Sequence, residues 1–351
     1  MKKNSHPIFH HPVVPLVPGR MTAAEYLDAC RELSFQARSL GIAFDIWQKA
    51  LRDDTTIFLG LSGAMTPAGL RKVVAYLLEN RLVDVLVTTG ANVFHDIHET
   101  VGKKHFQIHP NTDDKLLRKH YLDRIYDVLG EETEYGKHDA LIARTAASLP
   151  KRPYSTREWF HEFGKVLDSM KEEDGIVTAA LKAGVPIYAP ALGDSSYGIA
   201  MASRKESQEF LLHPVKDVRE TALIAAEAPR TGIVFIGGGT PKNFTQQTEV
   251  TAEYMGFKMQ GHKYCIQITT DSPQWGGLSG CTFEESTSWG KIHFEAEKIA
   301  VYSDATIALP LLVCGLAEIQ AHRFRPSIPR FTFGEELKIT RERTRKPVPA
   351  R

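Results

Sequence analysis

Short runs of β-branched and aliphatic residues alternate along this 351-residue chain with longer amphipathic stretches. The runs lack polar alternation, which is typical of strands buried on both faces of a parallel sheet. Alternation of such strands with helices predicts an α/β fold, a doubly wound, mostly parallel Rossmann-like sheet with helices on both faces. The predicted strands cover residues 55–61, 83–89, 186–189, 232–236, 264–269 and 299–303.

The amphipathic stretches between these strands are predicted to be helices. Thr66 and Pro67 suit the N-cap and the first position of a helix that runs to residue 80. Ser155 and Glu158 have the spacing of a capping box at the start of another. Further helices are predicted over residues 114–129, 139–149 and 215–226.

Length and composition limit the domain organisation. With 42% hydrophobic residues, the chain can bury a substantial core, as one large α/β domain or two smaller ones. We predict a single main domain over residues 22–322, preceded by an N-terminal extension of residues 1–21. Residues 101–152 are more polar and are predicted to form a peripheral helical insertion, and the basic tail of residues 323–351 to be partly ordered on a solvated surface.

Charge, hydropathy and cysteine usage exclude several classes of protein. The formal net charge of +1 provides no global field that would attract nucleic acid or an anionic membrane. Residues 1–20 lack the apolar region of a secretory signal, and the longest apolar run, 306–317, is too short to span a bilayer. The four cysteines lie far apart, without the spacing of a metal site or a disulfide framework. These features favour a soluble cytoplasmic protein without nucleic-acid or membrane partners.

Polar and glycine-rich segments follow several of the predicted strands. The glycines of residues 237–239 stand between a strand and a helix, where backbone amides could approach a pyrophosphate. Residues 88–90, Asp194 and Asp304 also follow predicted strands. Because ligands of such sheets bind at the carboxyl ends of the strands, every one of these motifs, together with the segment around Lys291, is expected at such an end and in one composite site. The alternative for each motif alone is a tight turn or a helix cap.

A lysine in an apolar and aromatic setting is the strongest candidate for a reactive group. Lys291 follows Trp289 and Gly290, and Glu285 lies just upstream. A lysine acts as a nucleophile only when its amine is partly unprotonated, which desolvation promotes. A tryptophan face can also hold a cationic substrate. The alternative is a surface lysine after a turn glycine.

Taken in order, residues 83–90, 189–196, 236–243, 288–292 and 301–305 resemble the deoxyhypusine synthase family, over roughly residues 22–322. The resemblance implies a homotetramer with active sites between two subunits. It also implies an NAD-dependent transfer of a 4-aminobutyl group from spermidine, through an imine on an enzyme lysine, to an acceptor amine. The implied catalytic residues are Lys291 as nucleophile, Trp289 as cation–π wall and Glu285 as the carboxylate that orients or deprotonates an amine. The implied cofactor-binding residues are Thr88, Thr89, Gly90, Asp194, Gly237, Gly238, Thr270, Gly276, Asp304 and Ala305.

The implied substrate groove departs from that of the eukaryotic members of the family. His95 stands where they carry a glutamate, and Asn243 where they carry a histidine. Ile199, Trp275 and Leu278 replace aspartates, at least some of which hold the amines of spermidine in those enzymes. His95, Asn243 and Trp275 are therefore the candidate substrate contacts of this chain.

Three functions stay open at this point. Fewer carboxylates in the groove favour a small acceptor such as putrescine, which would give homospermidine. A protein lysine of a translation factor, giving deoxyhypusine, is the second possibility, and an NAD-binding protein without transferase activity is the third. No metal is expected, because His95 and His98 share a helix face but lack an evident third ligand.

Overall fold

The computed structural model describes residues 11–277 and 279–344, so Leu278, one of the replaced groove positions, lies outside the described residues. The centre of the fold is a six-stranded sheet. Its strands are β1 (Thr55–Leu61), β2 (Val85–Thr88), β3 (Ile187–Tyr188), β4 (Arg230–Ile236), β5 (His262–Thr269) and β6 (Ile292–Tyr302).

The strands lie in the order β6-β5-β4-β1-β2-β3, and every neighbouring pair is parallel. The chain therefore winds outward from β1 in two directions, which confirms the predicted doubly wound fold. In such sheets the crevice for ligands opens where the strand order reverses, here between β1 and β4. The register aligns Leu61 of β1 with Ile236 of β4, so these two strands end level.

Thirteen helices are described around this sheet. The capping box predicted at Ser155 is confirmed, because its hydroxyl accepts from the Glu158 amide (3.0 Å) and the Glu158 carboxylate accepts from the Ser155 amide (2.8 Å). The helices are α1 (Ala23–Cys30), α2 (Phe35–Arg52), α3 (Arg71–Glu79), α4 (Gly90–Thr100), α5 (Asp114–Lys119), α6 (Glu132–Ser148), α7 (Thr156–Met170), α8 (Ile176–Ala183), α9 (Ser196–Ser203), α10 (Pro214–Ala226), α11 (Gly239–Tyr254), α12 (Phe283–Thr287) and α13 (Ala305–Glu318).

Successive residues of β1 enter two different cores. Ile57 and Leu59 pack with Trp47 of α2 on one face of the sheet, and Phe58 packs on the other face with Phe283 of α12. Because side chains alternate across a strand, a strand covered on both faces needs apolar residues at every position. This burial explains why the strand segments show no polar alternation. Across residues 11–277 and 279–344, no helix combines the length and apolar character needed to cross a bilayer.

Most predicted boundaries of the sheet agree with the structure. The first five strands, and the helix predicted over 215–226, are correct to within two residues at each end. By contrast, β6 begins at Ile292, seven residues before the predicted start at 299, and α6 begins at Glu132 instead of 139. The early part of β6 is polar and partly exposed because β6 lies at the edge of the sheet, so it lacks the apolar pattern of a buried strand. Its register with β5 also shifts between His262 and Tyr264.

The helix predicted after Thr66 begins differently from the expectation. Residues Thr66–Leu70 form a wide turn before α3, because Gly69 adopts φ +87°. The hydroxyl of Thr66 does not cap this turn but donates to the Asn92 carbonyl (2.9 Å). The side-chain oxygen of Asn92 instead accepts from the Met65 and Thr66 amides at 3.1 and 3.3 Å. The predicted Thr66 cap is therefore wrong, since a residue from α4 takes its place.

The helix predicted over 114–129 is also wrong. It ends with α5 at Lys119, and the strands Leu122–Ile125 and Val128–Glu131 then form an antiparallel hairpin. Tyr121 and Tyr126 adopt left-handed backbone conformations, with φ of 56° and 54°, which end the helix and turn the hairpin. The peripheral insertion is thus mixed, and Phe106–Gln107 supplies a third strand to its small sheet.

The basic tail is ordered over much of its length. Ser327–Thr332 and Lys338–Arg343 form an antiparallel hairpin. Before it, the buried guanidinium of Arg325 donates to both oxygens of Asp84, at 2.9 and 2.8 Å, and Asp84 is itself fully buried ahead of β2. Residues 323–344 are therefore attached to the sheet more closely than expected for a surface tail, because the buried ion pair of Arg325 and Asp84 holds the start of the segment.

Candidate functional site

The glycine-rich turn after β4 is packed tightly at the point where the strand order reverses. Gly237 adopts φ +71°, and its carbonyl accepts from the side-chain amide of Gln267 (2.9 Å). The hydroxyl of Ser62, just after β1, donates to the Gly238 carbonyl (2.6 Å). A Cβ on Gly238 would lie 2.2 Å from the Ser279 hydroxyl oxygen. Only glycine fits at this position, because Ser279 packs directly against the backbone of the turn.

A second close approach joins the ends of β2 and β3. A Cβ on Gly90, the first residue of α4, would lie 2.2 Å from the Ser195 hydroxyl oxygen. This contact brings the exposed Asp194 segment beside the half-buried Thr89, at the same edge of the sheet. Thr88 is different, because its buried hydroxyl donates to the Leu61 carbonyl (3.2 Å). Thr89, and not Thr88, therefore presents its side chain at this edge, contrary to the expectation for Thr88.

Asp304 and Thr270 lie beyond the ends of β6 and β5, and both are exposed. One oxygen of Asp304 accepts from the amide and the hydroxyl of Thr306, each at 2.7 Å, and so caps α13. Ala305 is the first residue of that helix, and Gly276 follows a short turn with φ +72°. These four predicted cofactor residues thus lie at or just beyond the carboxyl edge, and Asp304 also serves as the N-cap of α13.

Lys291 does not share this edge. Its carbonyl accepts from the amide of His262 (3.0 Å), the first residue of β5. The backbone of Lys291 therefore lies at the amino edge, about 16 Å along the sheet from Gln267 at ~3.3 Å per residue. The expectation that every motif lies at a carboxyl end is wrong for Lys291, because the strand it adjoins begins after it.

The three predicted catalytic residues lie on α12 and the turn that follows it. The Lys291 amine is 5.6 Å from the ring centroid of Trp289, within the range of a cation–π contact. Trp289 is 67% exposed, Lys291 is half-buried and Glu285 is exposed. A single chain therefore gathers these side chains but does not enclose them.

Lys242 is a buried residue that the sequence reasoning missed. It is 1% exposed, and its ammonium donates to the Gln267 side-chain oxygen (2.9 Å), to the Ser279 carbonyl (3.3 Å) and to the Cys281 carbonyl. The ring of Phe283 lies 5.9 Å away. A lysine in the first turn of a helix opposes the helix dipole, and this was the available signal.

Lys242 connects the glycine-rich turn with residues 279–291, which carry the three predicted catalytic residues and are called the catalytic segment below. Burial lowers the pKa of Lys242 to about 8; the charge of Lys291 also lowers it, while Glu285 opposes the change. The ammonium of Lys242 is thus within electrostatic reach of Glu285 and Lys291, the two ionisable side chains among the predicted catalytic residues. Asn243 follows it and is half-buried, whereas Trp275 is 76% exposed beyond β5.

His95 belongs to a cluster of aromatic side chains between α4, α6 and the loop after α4. Its Nδ1 lies 3.2 Å from Nε2 of His105 and 3.4 Å from the Tyr135 hydroxyl. His98 and His138 are paired beside them at 3.1 Å. Burial is the main cause that lowers the pKa of His95 to about 3 and that of His138 to about 4. Over the described part of the chain, no three His, Cys, Asp or Glu side chains are grouped to hold a metal ion.

Comparison with known proteins gives one consistent result. Residues 25–316 match the family described as deoxyhypusine synthase. The chain is 44% identical to "Probable deoxyhypusine synthase 2" of Methanosarcina mazei, over 89% of this chain and 92% of that one. It is 48% identical to the protein of the same name from Archaeoglobus fulgidus, over 83% of this chain and 96% of that one.

More distant relatives agree. A "Deoxyhypusine synthase-like protein" of Coxiella burnetii is 38% identical over 84% of this chain and 85% of its own length. A solved structure from Entamoeba histolytica, described under the same family name, has a TM-score of 0.55 at 18% identity, and the match covers 84% of this chain and 93% of that one. At that identity the structure supports the fold alone. On the strength of the family match and the archaeal relatives, the chain belongs to the deoxyhypusine synthase family.

Proposed function

We propose that this protein transfers a 4-aminobutyl group from spermidine, or a related polyamine, through an imine on Lys291 to a small diamine. Putrescine is the proposed acceptor, and homospermidine the product. The observation that carries the proposal is that the Lys291 amine lies 5.6 Å from the Trp289 ring. The segment that holds both residues is bonded to Lys242, beside the glycine-rich turn, through its Ser279 and Cys281 carbonyls. A nucleophilic amine beside an aromatic wall suits a cationic substrate.

The carboxyl edge fits NAD as the cofactor. Two glycines, Gly90 and Gly238, leave no room for a side chain, and the helices α4 and α11 begin at this edge. Helix N-termini and exposed amides favour a pyrophosphate, and Asp304, which follows β6, supports the proposal because a carboxylate at such a strand end can accept hydrogen bonds from a ribose. Bound NAD would accept a hydride from the carbon next to a polyamine nitrogen and return it to the product.

The side chains of the catalytic segment have separate roles in this proposal. Lys291 attacks the oxidised carbon, takes the aminobutyl group as an imine and releases diaminopropane. The acceptor amine then displaces Lys291. Trp289 holds the cationic chain against its ring, and Glu285 orients the attacking amine or takes its proton.

We also infer a homotetramer with active sites between subunits. The cofactor residues lie at the carboxyl edge, whereas the Lys291 backbone adjoins the amino end of β5. Trp289 is 67% exposed, and Phe294, on edge strand β6, is 90% exposed. A second copy could cover these side chains and bring its carboxyl edge to Lys291. Light scattering tests this directly, and a stable, active monomer would contradict it.

The choice of acceptor rests on the uncharged groove. Ile199 and Trp275 are 62% and 76% exposed. Because they are isoleucine and tryptophan, neither replaced position offers a carboxylate to a bound polyamine. Recognition would depend on Glu285, Trp289 and neutral contacts such as Asn243, which suits a short diamine better than a long polycation. The competing function is modification of a protein lysine, which the names of the archaeal relatives favour.

One experiment separates the two acceptors. The purified protein is incubated with spermidine and NAD, and with either putrescine or a hypusine-type translation factor, and the products are identified by mass spectrometry. We expect homospermidine from putrescine at millimolar concentration, faster than any modification of the protein. Stoichiometric modification of the factor without homospermidine would establish the competing function instead.

The covalent step has its own test. With spermidine and NAD, borohydride should trap an aminobutyl adduct on Lys291, and Lys291→Arg should abolish both adduct and turnover while substrate binding remains. Arginine keeps the charge but cannot form the imine. Lys298→Arg is the matched control, because Lys298 is a nearby lysine of β6 that pairs with Glu284 at 3.5 Å. An adduct on another lysine would refute the assignment.

A further inference from the structure

Four histidines beside the carboxyl edge are arranged as two separate hydrogen-bonded chains. In the first, the Glu99 carboxylate lies 2.7 Å from Nδ1 of His105, whose Nε2 lies 3.2 Å from Nδ1 of His95. In the second, the Lys104 carbonyl lies 3.1 Å from Nε2 of His98, whose Nδ1 lies 3.1 Å from Nε2 of His138. No bond among the described residues joins the two chains.

The group at the end of each chain determines which ring nitrogens carry hydrogen. A carboxylate only accepts, so Nδ1–H of His105 donates to Glu99 and Nε2 of His105 is left as an acceptor. With both rings neutral, Nδ1–H of His95 donates to that nitrogen, which leaves Nε2 of His95 with a lone pair. By the same reasoning, the second chain makes both His98 and His138 carry hydrogen on Nε2.

The lone pair of His95 is directed away from this chain. Among residues 11–277 and 279–344, Nε2 of His95 has no hydrogen-bond partner, and it is not one of the fully buried unpartnered atoms. His95 lies five residues after Gly90, about 7.5 Å along α4 from the carboxyl edge at ~1.5 Å per residue. An acceptor near the cofactor residues is therefore open to a ligand.

We propose that Glu99 and His105 are positioning residues that present Nε2 of His95 as the acceptor for a proton of the bound polyamine, and that the chain passes this proton to Glu99. The inference rests on the proposed aminobutyl transfer, and it deepens that proposal. A polyamine nitrogen is an ammonium at neutral pH, and hydride can leave the adjacent carbon only after that nitrogen loses a proton.

The relay conserves charge at every step. A proton that binds Nε2 of His95 releases the Nδ1 proton to Nε2 of His105, and His105 releases its own Nδ1 proton to Glu99. Both rings end neutral in the other tautomer, and Glu99 ends as a carboxylic acid. This outcome suits the burial of His95, which lowers the pKa of the ring and disfavours its charged form. Glu99, with its side chain 19% exposed, lies at a more solvent-accessible end of this chain than His105, which is 4% exposed.

Other ionisable groups act on the same cluster and belong in any interpretation of a pH profile. Tyr135 contacts His95, and burial is the main cause that raises its pKa. The remaining charged groups that face the cluster are Lys103, Lys137, Asp123, Glu131 and Glu134. None of them lies in the chain from His95 to Glu99, so the relay depends on Glu99 alone for its terminal base.

The hydrogen positions can be measured without any turnover. Nitrogen-15 NMR of the full-length protein with labelled histidine reports the tautomer of each ring. We expect His95 and His105 to carry hydrogen on Nδ1, and His98 and His138 on Nε2. Addition of spermidine should shift the Nε2 resonance of His95 more than that of the other rings. Hydrogen on Nε2 of free His95, or a spermidine-bound His95 that is unaffected, would overturn the proposal.

A pair of variants tests the relay in catalysis. Glu99→Gln keeps an oxygen to accept from His105 but cannot take a proton, so kcat should fall about 10- to 100-fold with KM for spermidine and NAD binding unchanged. His138→Gln, the matched control, breaks the second chain in the same cluster and should leave kcat within about threefold. Equal losses in both variants, or full activity of Glu99→Gln, would refute the relay. If the wild type transfers no aminobutyl group, the proposed function fails, and the NMR experiment still decides the arrangement of the chain.

Discussion

Replacing Lys242 by methionine should impair catalysis far more than stability. Methionine matches the length of the buried side chain but donates no hydrogen bond. The Ser279 carbonyl keeps a second donor, the side-chain amide of Gln267 at 3.0 Å. The Gln267 side-chain oxygen and the Cys281 carbonyl lose the Lys242 ammonium. The catalytic segment would then lose its attachment to the glycine-rich turn.

The change in the free energy of unfolding caused by Lys242→Met follows from two opposing contributions. Two buried acceptors left unsatisfied cost about 1–3 kcal/mol each, or about 2–6 kcal/mol together. Burial lowers the pKa of Lys242 from 10.5 to about 8, so removal of the ammonium recovers about 3 kcal/mol. The free energy of unfolding should therefore change only between a gain of about 1 kcal/mol and a loss of about 3 kcal/mol at pH 7. A displacement of ~1 Å in a catalytic segment can still reduce kcat about 100-fold.

Urea unfolding and steady-state kinetics measure the two effects separately. Lys263→Met is the matched control. Lys263 lies on β5, and its ammonium also donates to a backbone carbonyl, that of Glu295 (2.6 Å). The Lys263→Met variant should lose little activity. Retention of full activity by Lys242→Met, or a fall in stability large enough to account for its lost activity, would refute the positioning role.

The pH dependence of stability gives an independent check on Lys242. Between its folded pKa of about 8 and its unfolded value of 10.5, the unfolded chain binds the proton more tightly than the folded one. Wild-type stability should therefore rise relative to Lys242→Met as the pH increases from about 8 to about 10.5. If the difference in stability between wild type and Lys242→Met stays constant from about pH 8 to about pH 10.5, burial does not lower the pKa of the Lys242 amine.

Three further outcomes are expected. Asp84→Asn should lower the free energy of unfolding by about 3–5 kcal/mol in urea, because it leaves the buried guanidinium of Arg325 without its carboxylate; a loss under 1 kcal/mol would contradict this. Gly238→Ala should weaken NAD binding at least tenfold by calorimetry, since its Cβ would collide with Ser279; unchanged affinity would remove the turn from the cofactor site. Burial raises the pKa of Asp217 to about 7, so wild-type stability should decline from about pH 4 to 7, whereas Asp217→Asn should show a weaker decline; identical slopes would refute that pKa.

The candidate site was only partly predictable. The glycines after β4 and the end of β2 were recognisable because strand ends meet at one edge of a parallel sheet. The roles of Lys291 and Trp289 came from the family resemblance, and they remain proposals. Lys242 escaped notice, because its burial depends on carbonyls 37 and 39 residues further along the chain. The bond between His95 and His105 likewise depends on how a loop folds back onto α4.

The sequence by itself determined the sheet and its layers. Strands such as β1 are buried at every position and carry apolar side chains on both faces, such as Phe58 and Leu59, which suits a sheet covered by helices on both sides. Local chemistry was equally decisive at Ser155, where the cap and its partner lie within one turn. Both kinds of information lie within a few neighbouring residues, so no knowledge of the rest of the fold was needed.

Tertiary structure alone decided the remainder. The hairpin after α5 replaced a locally plausible helix, the basic tail was fastened by Asp84, and Lys291 came to lie at the amino edge of the sheet. Each of these outcomes depends on a partner distant in sequence, and hydrogen bonds and buried ion pairs of that kind leave no periodic trace in the chain. Interactions between neighbours define the elements, whereas desolvated contacts between remote residues decide where the reactive groups meet.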